Sequence, residues 1–196
     1  MKTILLAMTL ASSVLAGTIT LTMDEVANQP INGLTVSKGG ENFTFSNPSG
    51  TLFYNSNGPG IETFVQDPSI QGSTAPFGVA FSTAVNRIQF GLAEGSFSPV
   101  APLATVDLYF NSVVPFASIS FDSSLVDLFA EGQFNYDGAP VTEIVITPNA
   151  AQTALSFDNL TVNTVPEPTT LSMLAGVAVL TVAKTLKKKR GRQQSL

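Results

Sequence analysis

The side chains that carry much enzyme chemistry are missing from this 196-residue chain, which contains no Cys and no His. Zinc sites built on those residues, and Ser-His or Cys-His nucleophile pairs, are therefore excluded. A Ser-Lys pair stays open, as does a two-carboxylate glycosidase, which needs two acids roughly 5–9.5 Å apart in one cleft. No Gly-rich phosphate loop opens a helix. The sequence thus favours a protein that is not an enzyme.

Acidic residues that could meet lie at the two ends of the central part of the chain. Asp24 and Glu25 follow the first predicted strand, and Asp158 lies in the last. There the apolar alternation changes phase at Asp158-Asn159, which predicts a β-bulge that re-aims both side chains. Because the first and last strands of a sandwich are commonly neighbours, the three carboxylates are expected to approach one another. The alternative is that Asp158 and Asn159 bond local backbone groups in a turn.

Short segments of alternating apolar and polar residues predict β-strands through the central part of the chain. They are residues 18–23, 42–46, 51–54, 77–81, 87–92, 105–110, 118–121, 132–136, 143–147 and 154–157. Turn-forming residues separate them, as at Asp67-Pro68 and Asp137-Gly138. Many short strands at this spacing predict an all-β fold, either a β-sandwich or a barrel; we favour an antiparallel β-sandwich whose Phe side chains fill the core.

The charge of this central part is strongly negative. Residues 17–165 contain Lys38 and Arg87 against thirteen acids, which leaves a net charge of −11. With so few cations to neutralise phosphates, nucleic acid is excluded as a partner. The charge is compatible with binding cations or neutral sugars, and also with a simple role in solubility.

The N-terminus has the pattern of a secretory signal. Lys2 precedes an apolar run at residues 4–11, and small residues follow, with Val14 and Ala16 at the −3 and −1 positions before Gly17. The apolar run is too short to span a bilayer. We predict that signal peptidase cuts between Ala16 and Gly17 and that the rest of the chain is exported.

The C-terminus has the pattern of a short membrane anchor. Residues 169–186 would rise roughly 27 Å as a helix, which just covers a hydrocarbon core of about 30 Å. Six cations lie within residues 184–192, and such a cluster favours the cytoplasmic side of a membrane. Pro166 and Pro168 prevent the helix from extending backward. The central part would then lie outside the cytoplasm.

Val165, Pro166, Glu167 and Pro168, followed by the apolar segment and the basic end, resemble the PEP-CTERM sorting signal of Gram-negative bacteria. The same kind of tail is also labelled an ice-binding protein C-terminal domain. The resemblance implies that an exosortase, a membrane cysteine protease-transpeptidase, recognises the Pro-Glu-Pro motif and cuts nearby. It also implies a transient inner-membrane anchor with a cytoplasmic C-terminus, then release to the envelope or the extracellular space, often alongside exopolysaccharide.

The two ends of the central part resemble a second group, the jelly-roll, galactose-binding-like sandwiches of carbohydrate-binding modules. Those domains often open with a Phe-Asp-Asp-Leu-like segment, where this chain has Met23, Asp24 and Glu25, and close with an Asp-Asn-Leu strand like residues 158–160. The resemblance implies a structural Ca²⁺ held by Asp24, Glu25 and Asp158, because Ca²⁺ takes six to eight oxygen ligands. Otherwise no cofactor is predicted.

These observations predict five segments: a signal peptide at 1–16, a β-sandwich at 17–162, a Pro-rich neck at 163–168, a transmembrane helix at 169–186 and a cytoplasmic tail at 187–196. The favoured function is an exported, non-catalytic surface or matrix protein whose partners are signal peptidase, exosortase, membrane lipid and exopolysaccharide. The alternative is a lectin-like carbohydrate-binding module with structural calcium. A carboxylate-pair glycosidase and an ice-binding protein are weaker alternatives.

Overall fold

The structure, a computed structural model, describes residues 17–57, 60, 62–149 and 154–165. These residues form antiparallel β-strands joined by turns and loops, with no helix among them. The strands are β1 (Thr18–Leu21), β2 (Gln29–Pro30), β3 (Thr35–Lys38), β4 (Glu41–Ser46), β5 (Leu52–Ser56), β6 (Ser69–Gly72), β7 (Phe77–Gly95), β8 (Ala104–Tyr109), β9 (Ala117–Phe121), β10 (Ser124–Val126), β11 (Phe129–Pro148) and β12 (Leu155–Thr164). The prediction of an all-β antiparallel fold is confirmed.

Two long strands, β7 and β11, each take part in both layers of the sandwich. The first part of β7 pairs with β4, and its later part pairs with β12. The first part of β11 pairs with the later part of β7, and its last six residues pair with β8. Because both strands bend at residues 82–86 and 138–142, the continuous sheet folds back on itself. We call this bend the corner.

The bend corrects one detail of the predicted strands. Segments 77–81 and 87–92 are parts of the single strand β7, and segments 132–136 and 143–147 are parts of β11. Asp137-Gly138 is not a chain-reversing turn, because it lies within β11 where the pairing with β7 shifts register between Asp137 and Val141. An irregular register bends a strand without ending it, so turn-forming residues here mark the corner.

Aromatic side chains join the two layers of the core. Phe77 packs edge-on against Phe157 with ring centroids 5.2 Å apart, and Phe45 packs against Tyr54 at 5.8 Å. Phe90 stacks on Phe134 within its own layer at 5.0 Å. These rings are almost fully buried, which confirms the prediction that Phe residues fill the core. Edge-on and offset ring pairs add about 0.5–1.5 kcal/mol each to the burial of apolar area.

The first and last strands are neighbours, as predicted. β1 pairs antiparallel with β12, with Thr18 opposite Asn163 and Leu21 opposite Leu160. Residues 16–165 form one compact unit of the chain. The signal peptide, the motif residues Pro166 to Pro168 and the predicted span at 169–186 lie outside the described residues. Within the described ranges, no helix is long and apolar enough to cross a membrane.

Candidate functional site

The predicted bulge at Asp158-Asn159 is present and shapes the central strands. In the pairing of β12 with β7, Asp158 is opposite Gly91 and Thr161 is opposite Gln89, so β12 contains one extra residue. Asn159 has a positive φ of 56°, a left-handed conformation that Asn tolerates better than most residues. Because of the extra residue, Leu155 and Phe157 before it and Leu160 and Val162 after it are all buried.

Asp158 is buried on the face of β12 opposite the Phe core and binds a distant loop. Its Oδ2 accepts from the backbone amide of Gln66 at 3.1 Å, and its Oδ1 accepts from the amide of Asn159 at 2.6 Å. The side-chain amide of Asn159 also donates to the carbonyl of Phe64 at 3.0 Å. The local backbone bonding that the sequence left open is thus present, and it extends to a loop more than 90 residues away in the chain.

The pKa of Asp158 is raised to about 6. Burial is the main cause, because removing water disfavours the charged carboxylate. The amides of Asn159 and Gln66 oppose the rise, and the negative charges of Glu25 and Asp24 add to it. The three predicted acids are therefore close enough to influence one another electrostatically.

Glu25 is held by partners other than a metal. Its Oε1 accepts from the Lys38 ammonium at 2.6 Å and from the Thr22 amide at 2.9 Å, and its Oε2 accepts from the Tyr54 hydroxyl at 2.5 Å. Burial would raise the pKa of Glu25, but the hydrogen bonds from Lys38, Tyr54 and Thr22 outweigh burial, and the pKa is lowered. Glu25 thus links the segment after β1 to β3 and β5.

The three predicted calcium ligands are each hydrogen-bonded to protein donors, and calcium binding by them stays a prediction. Asp24 Oδ1 accepts from the Thr22 hydroxyl at 2.7 Å, while Glu25 and Asp158 are bonded to the protein donors described above. In the part of the chain that the structure describes, no three His, Cys, Asp or Glu side chains are grouped so that they could hold a metal ion. Backbone amides, the Lys38 ammonium and the Tyr54 hydroxyl are the partners that the structure gives Glu25 and Asp158.

A second buried carboxylate, Glu131 on β11, completes the attachment of the same loop. Its Oε1 accepts from the amides of Phe64 at 2.5 Å and Val65 at 2.7 Å, and its Oε2 accepts from the amide of Thr63 at 3.1 Å. With Asp158, two carboxylates therefore receive four consecutive backbone amides, residues 63–66. We call residues 62–66 the docked loop. Sequence reasoning missed Glu131, since one acid within a strand does not reveal that its face is covered by a remote segment.

Gly91 allows the docked loop to lie directly on the sheet. A Cβ atom at this position would lie 2.2 Å from the carbonyl oxygen of Phe64, a distance that real structures do not contain. The neighbouring same-face residue of β7, Ala93, is opposite Glu131 of β11. The two carboxylates and the glycine thus place the loop together, and this cluster is a structural feature of the fold.

A groove at the end of the sandwich away from the corner is the candidate binding site. It has a volume of about 720 Å³. Among the described residues, its walls are mostly amide, hydroxyl and small side chains with one aromatic ring, and none of them is charged. The lining residues are Asn28, Asn55, Ser56, Asn57, Gln71, Gly72, Phe129, Ala154, Leu155 and Ser156. Sequence reasoning did not find this groove, because its residues come from five separate segments.

Polar side chains in the groove are ordered by hydrogen bonds. The amide nitrogen of Asn28 donates to the carbonyl of Tyr54 at 3.0 Å and to the hydroxyl of Ser56 at 2.9 Å. The amide nitrogen of Asn55 donates to the carbonyl of Val26 at 2.7 Å. With their nitrogens fixed in this way, the amide oxygens of both residues are held in set directions. Such an uncharged, pre-ordered polar wall suits a neutral, hydroxyl-rich ligand.

Comparison with known proteins does not identify a family for this chain. No family model matches it, and no curated protein matches it. Among solved structures, it is similar to the K1 cleaved adhesin domain of Lys-gingipain from Porphyromonas gingivalis W83, with 7% identity, a TM-score of 0.45 and coverage of 76% of this chain and 99% of that one. It is also similar to the enzymatically active domain of tailspike protein 4 of bacteriophage CBA120, with 12% identity, a TM-score of 0.35 and coverage of 73% and 20%. At these scores neither likeness bears on function.

Proposed function

We propose that the protein is an exported, non-catalytic protein of the cell envelope or extracellular matrix that is sorted through its C-terminal signal by an exosortase. The observation that carries this proposal is the order of three features in one tail: Val165-Pro166-Glu167-Pro168, an apolar segment and a basic end. The predicted signal peptide, with cleavage between Ala16 and Gly17, supports export. In this scheme the anchor is transient, and the working protein is the β-sandwich.

The described unit ends directly before the motif. β12 ends at Thr164, and the amide of Val165 donates to the carbonyl of Ala84 at 2.8 Å. The Pro-Glu-Pro sequence therefore begins directly after the residue that closes the sandwich at the corner. Cleavage after Val165 would leave the described strands of the sandwich intact.

The experiment changes the motif without touching the sandwich. In cells that carry an exosortase, Glu167→Ala should block processing and leave full-length chain in the membrane fraction, while the unmodified protein appears in shortened form. Asp122→Asn, which changes an exposed acid of the sandwich, is the control and should be processed normally. Normal processing of Glu167→Ala would contradict the sorting proposal.

A second candidate function, carbohydrate binding, is favoured by the uncharged groove. Amide and hydroxyl groups match the hydroxyls of a neutral sugar, and the ring of Phe129 offers an apolar face. We propose that the sandwich belongs with the jelly-roll, galactose-binding-like domains and binds a neutral polysaccharide such as the host exopolysaccharide. The adjacent first and last strands, and the bulge in β12, support this assignment.

Binding to polysaccharides tests the second candidate directly. The unmodified protein should be retained by at least one neutral polymer, the host exopolysaccharide included, and Phe129→Ala should weaken retention by about tenfold, the equivalent of about 1.4 kcal/mol. Phe110→Ala removes an exposed ring far from the groove and should bind normally. Equal retention of the two variants, or no retention of the unmodified protein, would eliminate the groove as a sugar site.

A further inference from the structure

An exposed apolar loop projects from the corner end of the sandwich. We call residues 110–116, between β8 and β9, the apolar loop. Val113 is 95% exposed and Val114 is 67% exposed, and the rings of Phe110 and Phe116 are also exposed. From Leu108 to Phe121 there is no charged residue. Large apolar side chains that are clustered and open to solvent mark an interaction surface.

The apolar loop lies at the end of the sandwich where the chain leaves it. The amide of Asn111 donates to the hydroxyl of Thr142 at 2.9 Å. The next residue of β11, Val141, is opposite Val85 of β7, which in turn is opposite Thr164. Neighbouring strands lie about 4.8 Å apart, so the loop and the C-terminal exit are separated by about three strand spacings.

The short neck restricts what can face this end of the sandwich. Three residues, Pro166 to Pro168, separate Val165 from the start of the predicted span at Thr169. Even fully extended, they reach about 10 Å, only a few Å more than the roughly 5–7.5 Å of one head-group layer. If the chain is anchored as proposed above, its corner end must therefore rest at the membrane surface.

The charges around the corner are compatible with such a contact. The sandwich as a whole would be repelled by anionic lipid because of its net charge of −11. Its two cations both flank the corner, where Lys38 is paired with Glu25 at 2.6 Å and Arg87 lies opposite Asp137, so the contact suits neutral lipid better than anionic lipid. Lys38 of β3 is opposite Glu41 of β4, and Glu41 Oε1 accepts from the amide of Thr83 in the bend of β7 at 2.9 Å. Arg87 of β7 is opposite Asn163 of β12 on one side and Asp137 of β11 on the other.

We propose that the apolar loop inserts into the head-group and upper acyl region of the bilayer that holds the C-terminal anchor. Val113, Val114 and Phe116 would be the inserting side chains. A cleft of about 390 Å³ between this loop and Ala139-Pro140 continues the apolar surface toward the corner. The contact would orient the sandwich with its corner toward the membrane. This inference rests on the proposed anchor, and its occupant is phospholipid.

The absence of Trp from the sequence allows a direct test. The chain from Gly17 onward, with its tail, would be reconstituted in phosphatidylcholine vesicles as the Val114→Trp variant, so that one indole reports on the loop. Phe97→Trp is the matched control, because Phe97 is 83% exposed and follows the end of β7 away from the corner. In vesicles that contain brominated lipid, Val114→Trp should be quenched at least threefold more than Phe97→Trp, and its emission should shift to shorter wavelength.

Cosedimentation with the vesicles separates the possible failures. A chain that cosediments while Val114→Trp and the second reporter Val113→Trp are quenched no more than Phe97→Trp would overturn the inference and leave the anchor intact. A chain that does not cosediment would overturn the proposed anchor, and the inference with it. A blue-shifted reporter that is not quenched, together with crosslinked dimers, would mean that a second copy covers the loop, which also overturns the inference.

Discussion

The side chains of Glu131 and Asp158 accept the backbone hydrogen bonds that a neighbouring strand would otherwise accept from the docked loop. Together they receive the backbone amides of residues 63–66. Buried amides without acceptors cost free energy, so these carboxylates satisfy donors that no neighbouring strand reaches. At this scale the fold depends on charge-assisted hydrogen bonds made by single side chains.

Replacing Glu131 by Gln should lower the free energy of unfolding by about 2–4 kcal/mol, because charge-assisted bonds are lost and the new amide hydrogens face amide donors. Urea denaturation measures the change. Asp122→Asn, which removes the charge of an exposed acid, should change stability by less than about 0.5 kcal/mol. A change of the same size in both variants would contradict the role assigned to Glu131.

Glu94 predicts how stability varies with pH. It is fully buried among the core residues Ala130 and Leu155 of the neighbouring strands, and neither carboxylate oxygen has a hydrogen-bond partner among the described residues. Burial raises the pKa of Glu94 to about 7. The nearby backbone amide of Asn149 lowers this pKa by a smaller amount. That amide donates its own hydrogen bond to the carbonyl of Leu103 at 2.9 Å.

In the folded protein Glu94 keeps its proton over a range in which the unfolded chain has lost it. The free energy of unfolding should therefore fall as pH rises from 4.5 to about 7. Asp158, whose pKa is raised from 3.8 to about 6, contributes with the same sign over a lower range. Urea titrations at several pH values should show a shallower fall for Glu94→Gln and greater stability than the unmodified protein at pH 8. An unchanged slope would contradict this role.

Of the two carboxylates that hold the docked loop, the sequence pattern indicated Asp158 but not Glu131. The phase change of apolar residues at Asp158-Asn159 is visible in the sequence, because core-facing positions must alternate on either side of a bulge. Glu131 leaves no such mark, since its partners are backbone amides of a loop 66–68 residues away. The partners of Glu25 were hidden for a related reason: the sequence did not show that Lys38 and Tyr54 reach its carboxylate.

At the scale of elements, the docked loop and β7 require close contact at one glycine. Gly91→Ala would place a Cβ atom 2.2 Å from the carbonyl of Phe64. We expect a loss of about 1–3 kcal/mol of unfolding free energy, typical of overpacking, and faster proteolysis within residues 62–66.

Gly95→Ala provides a matched control on the same strand. A Cβ atom there would meet the Ala154 Cβ at 3.5 Å, an ordinary contact. It should change stability by no more than about 0.5 kcal/mol and leave the proteolytic pattern unchanged. Equal effects at the two glycines would mean that Gly91 matters through backbone freedom rather than through the loop above it.

The strands themselves could be predicted from the period-2 pattern, but their continuity could not. Residues 77–81 and 87–92 have alternating apolar residues, and the segment between them has mostly small or polar, partly exposed residues, with only Val85 buried. In the structure that segment stays extended and crosses between the layers, because β11 bends beside it with the register shifts near Val141. Pairing with β11, which is distant in sequence, determines that β7 continues through this segment. The composition of β7 alone does not show it.

At the scale of the whole molecule, the two ends of the sandwich are chemically different. The uncharged groove lies at the end where Phe129 is opposite Gly95. The apolar loop and the C-terminal exit lie at the corner, at the other end. If the apolar loop inserts into the membrane as proposed, the groove at the opposite end of the sandwich remains open to a polymer in the surroundings. This polarity connects the sorting proposal with the carbohydrate-binding proposal.

The central claim is that the tail is a sorting signal, and the mass of the exported protein tests it most directly. Intact-mass spectrometry should be applied to protein recovered from cells with an exosortase and from the same cells without it. We predict that residues 1–16 are missing in both and that only exosortase-bearing cells yield a chain that ends between Pro166 and Thr169. Recovery of membrane-embedded chain that extends to Leu196 from both kinds of cell would contradict the claim.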